Sequence, residues 1–486
     1  MAASPFEGLK PEIMWKYFED LTKIPRCSKN EAAAAKYVME QAKAKGCQAE
    51  QDGAGNVVVR VPASKGKEGA PTVVLQGHLD MVGEKDSSSA HDFDKDPIPV
   101  IREGEWLTAD GTTLGADNGV GLAASLALMD DPDSVHGPLE LLFTVDEETG
   151  LTGAMEIPAG FVKGKIMLNL DSEEEGSVYV GCAGGNDTLA RLSIQREAAG
   201  GDAFEIKVSG LKGGHSGLDI NLGRGNAIKV LGWYLDRLRR ELKDDLKLVA
   251  FSGGDKHNAI PREAGATILL PAGQKAKAEE VLSKIQGDLQ ATYSKADEGV
   301  KIEMASAQAA GQPLTKDSRD KFLCMVMAMP HGVLTMSQDV AGLVETSTNL
   351  AVSKLEDNQA VLHESSRSSV APLLAQAQDE IISLIRLAGA EPEDGGGYPG
   401  WQPNMDSKVL ARAKAVHEKV TGKAPEVKAI HAGLECGIIG EKMGGMDMIS
   451  FGPLMEWPHS PSERVKIDSV ERFYTFLKAL LEDLAG

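Results

Sequence analysis

The sequence predicts an α/β protein: a main domain with a mostly parallel mixed sheet flanked by helices, and an inserted α+β domain. Two observations predict the main domain. Strand-like and helix-like segments alternate over the first third of the 486 residues, and the same alternation returns near the end of the chain. A third observation predicts the insertion, because long helices and strands of a different pattern lie between these two parts. Alternating strands and helices are typical of layered α/β folds.

The elements of the first third follow from the spacing of apolar residues. Helical spacing occurs at residues 10–24, 30–45 and 118–129, and Asn30 is suited to cap the second of these helices. Short β-rich runs lie between the helices, at residues 56–61, 72–75, 139–145 and 165–170. This order predicts a sheet covered by helices.

The inserted domain is bounded by changes in pattern. Near residue 188 the pattern changes to strand candidates separated by long helices, and it ends at the breaker-rich stretch EPEDGGGYPGWQP, residues 391–403. After it, a helix is predicted at 406–420 and another at 467–484. We therefore expect three segments: the first part of the main domain, the insertion, and the second part of the main domain, at residues 1–188, 189–395 and 396–486.

The insertion has about twice the length that one unit of four strands and two helices requires at ordinary element lengths. Within it, HNAIPREAGATILL is echoed by STNLAVSKLEDNQAVL, and a long amphipathic helix is predicted after each. We interpret the echo as two similar lobes. The alternative is that two ordinary α/β segments resemble each other by chance.

Charge and cysteine usage limit the function classes. The net charge of −21 argues against nucleic acid or an anionic membrane as a partner. The five scattered cysteines contain no CxxC pair, so neither a disulfide framework nor a thiolate zinc site is expected. The first 20 residues lack a signal-peptide pattern, and no apolar run reaches membrane-spanning length. These features predict a cytoplasmic protein.

Polar residues follow three of the predicted strands at the point where each strand ends. His78 and Asp80 follow VVLQG, Glu147 and Glu148 end the run LLFTVDEE, and Asp171 follows IMLNL. Ligands of open α/β sheets bind beyond the carboxyl ends of the strands, so these side chains are expected to converge. Each motif alone also fits an ordinary structural role, and their coincidence at three strand ends favours a shared site.

Two further residues complete a candidate ligand set. Asp117 lies at the start of a predicted helix in LGADNGVGLA, and His459 lies in a loop after ISFGP. The set offers carboxylate oxygen and imidazole nitrogen and no thiolate. Such donors suit zinc, manganese or cobalt acting as Lewis acids.

These residues lie in motifs that cover nearly the whole chain: QGHLDMVGEK, HDFDKDPI, GTTLGADNGVG, HGPLELL, NLDSEEEG, GCAGG, LKGGHSG, NAIPREA, YPGWQP, IHAGLECG and GPLMEWPHSP. By them the sequence resembles the co-catalytic dizinc metallopeptidases, the family of carnosinase, peptidase T, glutamate carboxypeptidase and aminoacylase. Its nearest resemblance is to members that cleave aminoacyl-histidine dipeptides. The resemblance implies hydrolysis of dipeptides, preferentially carnosine-like Xaa-His, with two divalent ions. Zinc is expected, and manganese and cobalt are the alternatives.

The resemblance also implies a division of the five candidate ligands. His78 and Asp171 correspond to ligands of one metal ion, Glu148 and His459 to ligands of the other, and Asp117 to the residue that bridges both. In the family the bridging aspartate precedes its helix through a cis peptide bond, so the bond after Asp117 is expected to be cis.

Two more positions match catalytic residues of the family. Asp80, two residues after His78, would orient that imidazole and raise its basicity. Glu147 would be the general base that takes a proton from the metal-bridging water and returns it to the leaving amine. Adjacent residues after a strand point to different sides, so Glu148 can bind metal while Glu147 stays free.

Three residues of the insertion and one of the last segment resemble substrate contacts of the family. Arg367 in HESSRSSV matches a carboxylate-binding arginine, whose planar fork can bind both oxygens of the substrate. Asn258 and the backbone at Gly433 match other contacts. His215 in GGHSG matches the histidine that supports the developing oxyanion. The insertion would then act as a lid over the metals, and an exposed structural role is the alternative for Arg367.

Two other functions compete with a dipeptidase. A related dizinc amidohydrolase, such as an aminoacylase acting on N-acyl amino acids, would share the metal ligands. A binding or regulatory protein could keep the fold without catalysis, but such proteins usually lose a ligand or the base, and all seven positions are filled here. Small dipeptides are the expected partners, and a homodimer is left open.

Overall fold

The computed structural model describes residues 4–308 and 311–486, which form two compact units. Unit 1 comprises the chain up to Gly181 together with Pro403–Ala429 and Leu434–Gly486. Unit 2 comprises Cys182–Gln402 and Ile430–Gly433. The brief return of the chain to unit 2 at 430–433 has no counterpart in the sequence pattern. Within the described residues, no helix is long and apolar enough to cross a membrane.

The elements up to the start of unit 2 alternate as the sequence predicts. The helices are α1 (Glu12–Thr22), α2 (Ala32–Ala44), α3 (Ala116–Ala127), α4 (Glu147–Gly150) and α5 (Thr152–Glu156). The strands are β1 (Gln48–Gln51), β2 (Val57–Val61), β3 (Val73–His78), β4 (Val100–Glu103), β5 (Trp106–Ala109), β6 (Leu139–Thr144), β7 (Ile166–Asn169) and β8 (Ser177–Cys182).

Unit 2 is built from longer strands and four long helices. The strands are β9 (Gly184–Ser193), β10 (Asp202–Ser209), β11 (Gly214–His215), β12 (Lys247–Gly253), β13 (Ala259–Ile260), β14 (Ala264–Leu270), β15 (Lys301–Ser306), β16 (Gly332–Met336), β17 (Val344–Leu355), β18 (Gln359–Ser368) and β19 (Glu391–Tyr398). The helices are α6 (Ala227–Leu242), α7 (Lys275–Tyr293), α8 (Lys316–Ala328) and α9 (Ala371–Leu387), with a 3₁₀ turn at Lys243–Asp245.

The last part of the chain returns to the pattern of the first. Its helices are α10 (Lys408–Thr421), α11 (Glu435–Lys442) and α12 (Ile467–Ala485). Its strands are β20 (Glu426–Ile430), β21 (Asp447–Ser450), β22 (Met455–Glu456) and β23 (Arg464–Lys466).

The main sheet of unit 1 confirms the predicted mixed α/β fold. Its strand order is β1-β2-β6-β3-β7-β21-β8-β20. The four neighbours β6, β3, β7 and β21 run parallel, and antiparallel strands flank them. Every residue of β3 and β6 is buried, as expected for parallel strands covered on both faces. The carboxyl ends of four neighbouring strands therefore meet at one edge.

A second, four-stranded sheet in unit 1 has the order β22-β23-β5-β4. It pairs Arg464 with Thr108 and Val465 with Leu107 in antiparallel register. This pairing fixes the segment that follows His459 against a segment from the first quarter of the chain.

The sheet of unit 2 contains the same arrangement twice. Its order is β15-β10-β14-β12 followed by β17-β18-β9-β19. Leaving the short strands aside, one half runs β10, α6, β12, β14, α7, β15 and the other runs β9, α8, β17, β18, α9, β19. Numbered within each half, the strand orders are 4-1-3-2 and 2-3-1-4. One half is nested inside the other, between β9 and α8.

The sequence echo falls on this arrangement only in part. Its two apolar ends lie in β14 and β18, which are equivalent third strands, and each is followed by the second helix of its half. Its two asparagines are not equivalent, because Asn258 lies in a turn and Asn349 lies within β17.

The sheet of unit 2 has one apolar and one polar face. In β10, the side chains of Phe204, Ile206 and Val208 are buried, whereas Glu205 and Lys207 are exposed. The helices α6 and α9 pack against strands of this sheet. Because successive side chains of a strand point to opposite faces, apolar side chains lie on the face that the helices cover, and polar side chains lie on the other face of the sheet.

Unit 2 contains a buried glutamate and a partly buried lysine whose pKa values are both shifted. Glu364 is 1% exposed; its Oε1 accepts from Thr348 and its Oε2 has no partner among the described residues. Burial raises the pKa of Glu364 to about 8. Burial also lowers the pKa of Lys229 to about 8, and its ammonium donates to three carbonyls at the end of α8, those of Val326, Met327 and Met329.

Glu364→Gln should stabilise the protein at alkaline pH. Between about pH 4.3, where an unfolded Glu ionises, and pH 8, the folded protein keeps a proton that the unfolded chain has lost, so stability falls as pH rises. Glutamine removes this titration and still accepts from Thr348. We expect similar melting at pH 5 and a variant more stable by about 1–3 kcal/mol at pH 9. Thermal unfolding at both values, with exposed Glu303→Gln as control, checks this; a pH-independent difference would contradict it.

Candidate metal centre

Asp117 lies between two imidazoles. Its Oδ1 is 3.1 Å from Nε2 of His78, and its Oδ2 is 3.1 Å from Nε2 of His459. Beside the first imidazole, Asp171 Oδ1 is 3.2 Å from the same Nε2 of His78. Beside the second imidazole, Glu148 Oε2 is 3.0 Å from His459 Nε2. One carboxylate thus joins two similar groups, each with one histidine and one further acid.

The parallel strand ends bring these side chains together. His78 ends β3, Glu148 follows β6, and Asp171 follows β7. Their ligand-forming atoms, with those of Asp117 and His459, belong to groups in which all atoms lie within 4.8 Å of one another: His78, Asp117 and Asp171; Asp117, Glu148 and His459; His78, Glu147 and Glu148. The five candidate ligands therefore form one connected cluster within unit 1.

Asp80 connects the candidate ligand His78 to Glu147, the predicted base. Its Oδ1 lies 3.3 Å from Nδ1 of His78 and accepts the backbone N–H of Glu147 at 3.0 Å. Its Oδ2 accepts the backbone N–H of Glu148 at 3.1 Å and the hydroxyl of Ser28 at 2.8 Å. A carboxylate beside the second nitrogen of a ligating histidine fixes which nitrogen faces the metal. Asp80 also fixes the turn that carries both glutamates.

The peptide bond between Asp117 and Asn118 is cis, which confirms the expectation. The side chain of Asn118 is buried and donates to the carbonyl oxygen of Leu170 at 2.7 Å. A Cβ at Gly77 would lie 2.2 Å from Asn118 Oδ1. Glycine in the GHLD motif therefore provides the space into which the Asn118 side chain packs.

The loop that carries Asp117 is fixed by a glutamate that the sequence interpretation missed. Glu463 Oε2 accepts the backbone N–H groups of Leu114 (2.7 Å) and Gly115 (3.0 Å). Its Oε1 accepts those of Ala116 (2.8 Å) and Asp117 (3.2 Å). The side chain is 2% exposed. One carboxylate thus satisfies four N–H groups in the loop that leads into α3.

An arginine that the sequence interpretation missed connects two ligand loops. Arg26, 2% exposed, donates to the carbonyl oxygens of Leu79 (2.9 Å) and Asp80 (2.7 Å) and to that of Gly115 (2.5 Å). Neither Arg26 nor Glu463 follows a predicted strand, so strand ends did not indicate them. For Glu463 a signal was present, because it lies four residues after His459 in the same loop.

The loop that carries His459 contains an arginine that contacts two tryptophan rings. The guanidinium carbon of Arg464 lies 4.2 Å from the ring centroid of Trp106 and 4.5 Å from that of Trp457. The same guanidinium binds Glu456 Oε2, with Nε donating at 2.9 Å. Trp457 and His459 both have left-handed backbones, with φ of 53° and 58°. Cation–π contacts of the guanidinium with the two rings stabilise this unfavourable turn.

Both histidines are surrounded by acids. Contacts with Asp117 and Glu148 raise the pKa of His459 to about 11. Burial opposes the charge of His78, but Asp171, Asp117 and Asp80 outweigh it and raise its pKa well above the usual value. Burial likewise opposes ionisation of Asp80, yet His78 lowers its pKa to about 2.

The site has more acids than these two imidazoles can neutralise. Burial raises the pKa of Asp171 to about 7 and those of Glu173 and Glu435 to about 8. Burial, with nearby carboxylates, raises the pKa of Glu147 well above its usual value. Glu148 Oε1 is buried without a hydrogen-bond partner among the described residues. Oxygen and nitrogen donors with uncompensated negative charge fit divalent cations.

The four predicted substrate contacts lie in unit 2. His215, in β11, accepts the backbone N–H groups of Gly217 (3.1 Å) and Leu218 (3.0 Å) at Nδ1. Its proton is therefore on Nε2, which is left as a donor. Burial, with the nearby Arg367, lowers the pKa of His215 to about 4, so the ring is neutral.

Arg367 is buried without an acidic partner. The residue lies in β18 and is 6% exposed. Nη1 donates to the hydroxyl of Tyr398 at 2.7 Å and Nε donates to Ser216 Oγ at 3.3 Å. No carboxylate of the described residues forms an ion pair with it. Because buried arginines are usually paired, this guanidinium is suited to an anion from outside the chain.

Gly433 and Asn258 lie near the same arginine. A Cβ at Gly433 would lie 2.7 Å from the ring of Tyr398, and one at Gly185 would lie 2.9 Å from it, so two glycines admit the ring that contacts Arg367. Asn258 is exposed, and its carbonyl accepts the backbone N–H of Ser216 at 2.8 Å.

Three comparisons relate the chain to known proteins. Residues 74–483 match the sequence profile described as Peptidase family M20/M25/M40. The chain is 41% identical over 487 residues to the cytosol non-specific dipeptidase of Escherichia coli (strain K12), covering 99% of both. Its fold is similar to that of aminoacylhistidine dipeptidase from Vibrio alginolyticus, with a TM-score of 0.90, 43% identity and coverage of 99% and 98%. Aminopeptidase PepT from Bacillus cereus shares the fold at a TM-score of 0.56 and 16% identity, with 98% and 100% covered.

Glu463→Gln should weaken metal binding. Glutamine replaces one acceptor oxygen with an N–H₂ group that faces backbone N–H donors, so the loop of Asp117 loses its anchor. We expect the affinity for Mn²⁺ or Zn²⁺ to fall about 10–100-fold, the usual effect of groups behind metal ligands. Competition with a chromophoric chelator measures it. Exposed Glu471→Gln is the matched control; equal affinities in all three proteins would refute the anchoring role.

Proposed function

The chain belongs to peptidase family M20/M25/M40, and from that premise we propose that it hydrolyses dipeptides with two divalent metal ions, with preference for a C-terminal histidine. The observation that carries the proposal is the carboxylate of Asp117, which contacts two imidazoles at equal distance, each accompanied by one further acid. This arrangement matches two metal sites with a shared ligand.

The donors divide between two ions. His78 and Asp171 would bind one ion, Glu148 and His459 the other, and Asp117 both. We propose zinc, because zinc takes imidazole and carboxylate ligands, and manganese or cobalt are the alternatives. When bound, such a pair polarises the scissile carbonyl and lowers the pKa of the attacking water.

Glu147 is our candidate for the general base. It lies beside the ligand Glu148, and its backbone N–H is fixed by Asp80, which also orients His78. Its carboxylate would take the proton of the attacking water and pass it to the nitrogen of the leaving amine. Water attack then breaks the peptide bond and yields two free amino acids.

Unit 2 would bind the polar ends of the substrate. The unpaired guanidinium of Arg367 would bind the dipeptide carboxylate, and the Nε2 proton of His215 would stabilise the negative oxygen that develops on the carbonyl. Asn258 and the backbone at Gly433 would add contacts to the substrate.

The two relatives differ in how far their names support a preference for histidine. The relative from Vibrio alginolyticus is named for aminoacyl-histidine substrates, whereas the relative from Escherichia coli is named non-specific and cytosolic. We propose the same compartment, the cytosol. The homodimer left open by the sequence stays a prediction.

Activity of metal-stripped protein tests the proposed function. We expect no hydrolysis of β-alanyl-histidine or alanyl-dipeptides after chelation, and recovery when zinc, manganese or cobalt is added back separately. N-acetyl amino acids test the alternative amidohydrolase, which would cleave them faster than dipeptides. Undiminished dipeptide hydrolysis without metal would refute the proposal.

Glu147→Gln should abolish turnover and preserve metal binding. Glutamine keeps the size of the side chain and removes its basicity, so we expect kcat to fall at least ~100-fold. Metal content by atomic emission should match that of the parent protein. Glu156→Gln, exposed on α5, is the control. A variant that kept most of its activity would require another base.

Arg367→Met should abolish discrimination between a dipeptide and its C-terminal amide. A charged hydrogen bond contributes about 1.5–3 kcal/mol, so we expect kcat/KM for the free acid to fall about 10–150-fold while that for the amide changes little. Arg191→Met, in neighbouring β9 and paired with Glu393, is the control. Equal losses on acid and amide would assign Arg367 a role other than carboxylate recognition.

A further inference from the structure

One acid lies near Arg367 on the polar face of unit 2, and it is shared by two histidines. Asp187 Oδ2 is 3.1 Å from His257 Nδ1 and 3.4 Å from His363 Nε2. The two imidazoles are stacked, with ring centroids 6.0 Å apart and planes inclined by 11°. The three side chains form a group that none of the roles above uses.

Strand register places this group one step from Arg367. In the pairing of β18 with β9, Arg367 is opposite Gly185 and Ser365 is opposite Asp187. Positions two apart on a strand share a face and lie about 6.6 Å apart. Asp187 is thus the next same-face position beyond the pair that contains Arg367. The side chain of a residue whose carboxylate is bound by Arg367 is long enough to cover this step.

Asp187 orients His257 and leaves it accessible. The side chain of His257 is 57% exposed, whereas that of His363 is 20% exposed. Because Nδ1 of His257 faces the carboxylate, it carries a proton, and the ring presents Nε2 on its opposite edge. Nε2 of His257 has no protein partner among the described residues. It is a polar atom fixed in direction and free to bind.

We propose that His257, oriented by Asp187, contacts the side chain of the dipeptide's C-terminal residue and gives the preference for histidine at that position. This inference rests on the proposed dipeptidase function and on carboxylate binding by Arg367. The residue beside it, Asn258, is already a candidate substrate contact, so both would bind from one turn.

The chemistry of an imidazole explains why histidine is favoured. A neutral imidazole has one donor and one acceptor nitrogen. It can therefore complement Nε2 of His257 whether that atom accepts or donates a hydrogen bond. A lysine side chain offers only donors, and a leucine side chain offers neither. A histidine side chain therefore fits in both cases without adding a charge beside the guanidinium of Arg367.

The test compares alanyl-histidine with alanyl-leucine on the metal-loaded enzyme. For His257→Leu we expect kcat/KM on alanyl-histidine to fall about 5–10-fold, the scale of one lost hydrogen bond, mainly through KM. Hydrolysis of alanyl-leucine should stay within about twofold, the usual non-additive error of such comparisons. His257→Gln, whose amide also has a donor and an acceptor, should restore part of the histidine preference.

Asp187→Asn provides a second measurement. Loss of the carboxylate that orients His257 should lower the histidine-to-leucine ratio in the same direction as His257→Leu, and the double variant should add little to the single ones. An unchanged ratio in His257→Leu, or an equal fall on both substrates, would overturn the inference. If the parent enzyme cleaved neither dipeptide, the proposed function itself would fail, so the two failures are distinguishable.

Discussion

The geometry of unit 1 depends on one constraint: a single carboxylate, Asp117, must face two imidazoles at once. Its oxygens are each 3.1 Å from a histidine, His78 from the first part of the chain and His459 from the last. A side chain can satisfy both only if its backbone position is fixed. The surrounding structure supplies that restraint from several directions.

The restraint comes from groups that would not themselves bind metal. Glu463 accepts four N–H groups of the loop that carries Asp117, and Arg26 donates to the carbonyls on both sides of the site. Asp80 fixes the backbone of the glutamate pair in the same way. The parallel sheet positions the candidate ligands at its strand ends, and these hydrogen bonds fix the loop of Asp117, which leads into α3.

Much of this could be predicted from the sequence, and the reasons are physical. Residues such as His78 and Asp171 follow apolar runs, so the sequence predicts that they lie at strand ends. Parallel pairing of those strands brings the ends together. Glu463 and Arg26 were not predicted, because their partners are backbone groups that have no sequence signature; only the position of Glu463, four residues after His459, could have indicated it. In unit 2, the sequence indicated the repeat only in part. The first strand of one half, β9, is separated from the rest of that half by the entire other half.

The two units carry opposite unmet charge, and this explains why each site needs something from outside the chain. Unit 1 buries more carboxylates than its imidazoles can balance, so the energy of the cluster falls when cations bind. Unit 2 buries Arg367 with only hydroxyl partners, and its neutral neighbour His215 does not offset the positive charge. Folding alone therefore leaves both groups incomplete. Cations would balance the excess negative charge of unit 1, and a substrate carboxylate would pair with the guanidinium in unit 2. The desolvation of these charges, which costs free energy in the unbound chain, would therefore favour ligands of opposite charge.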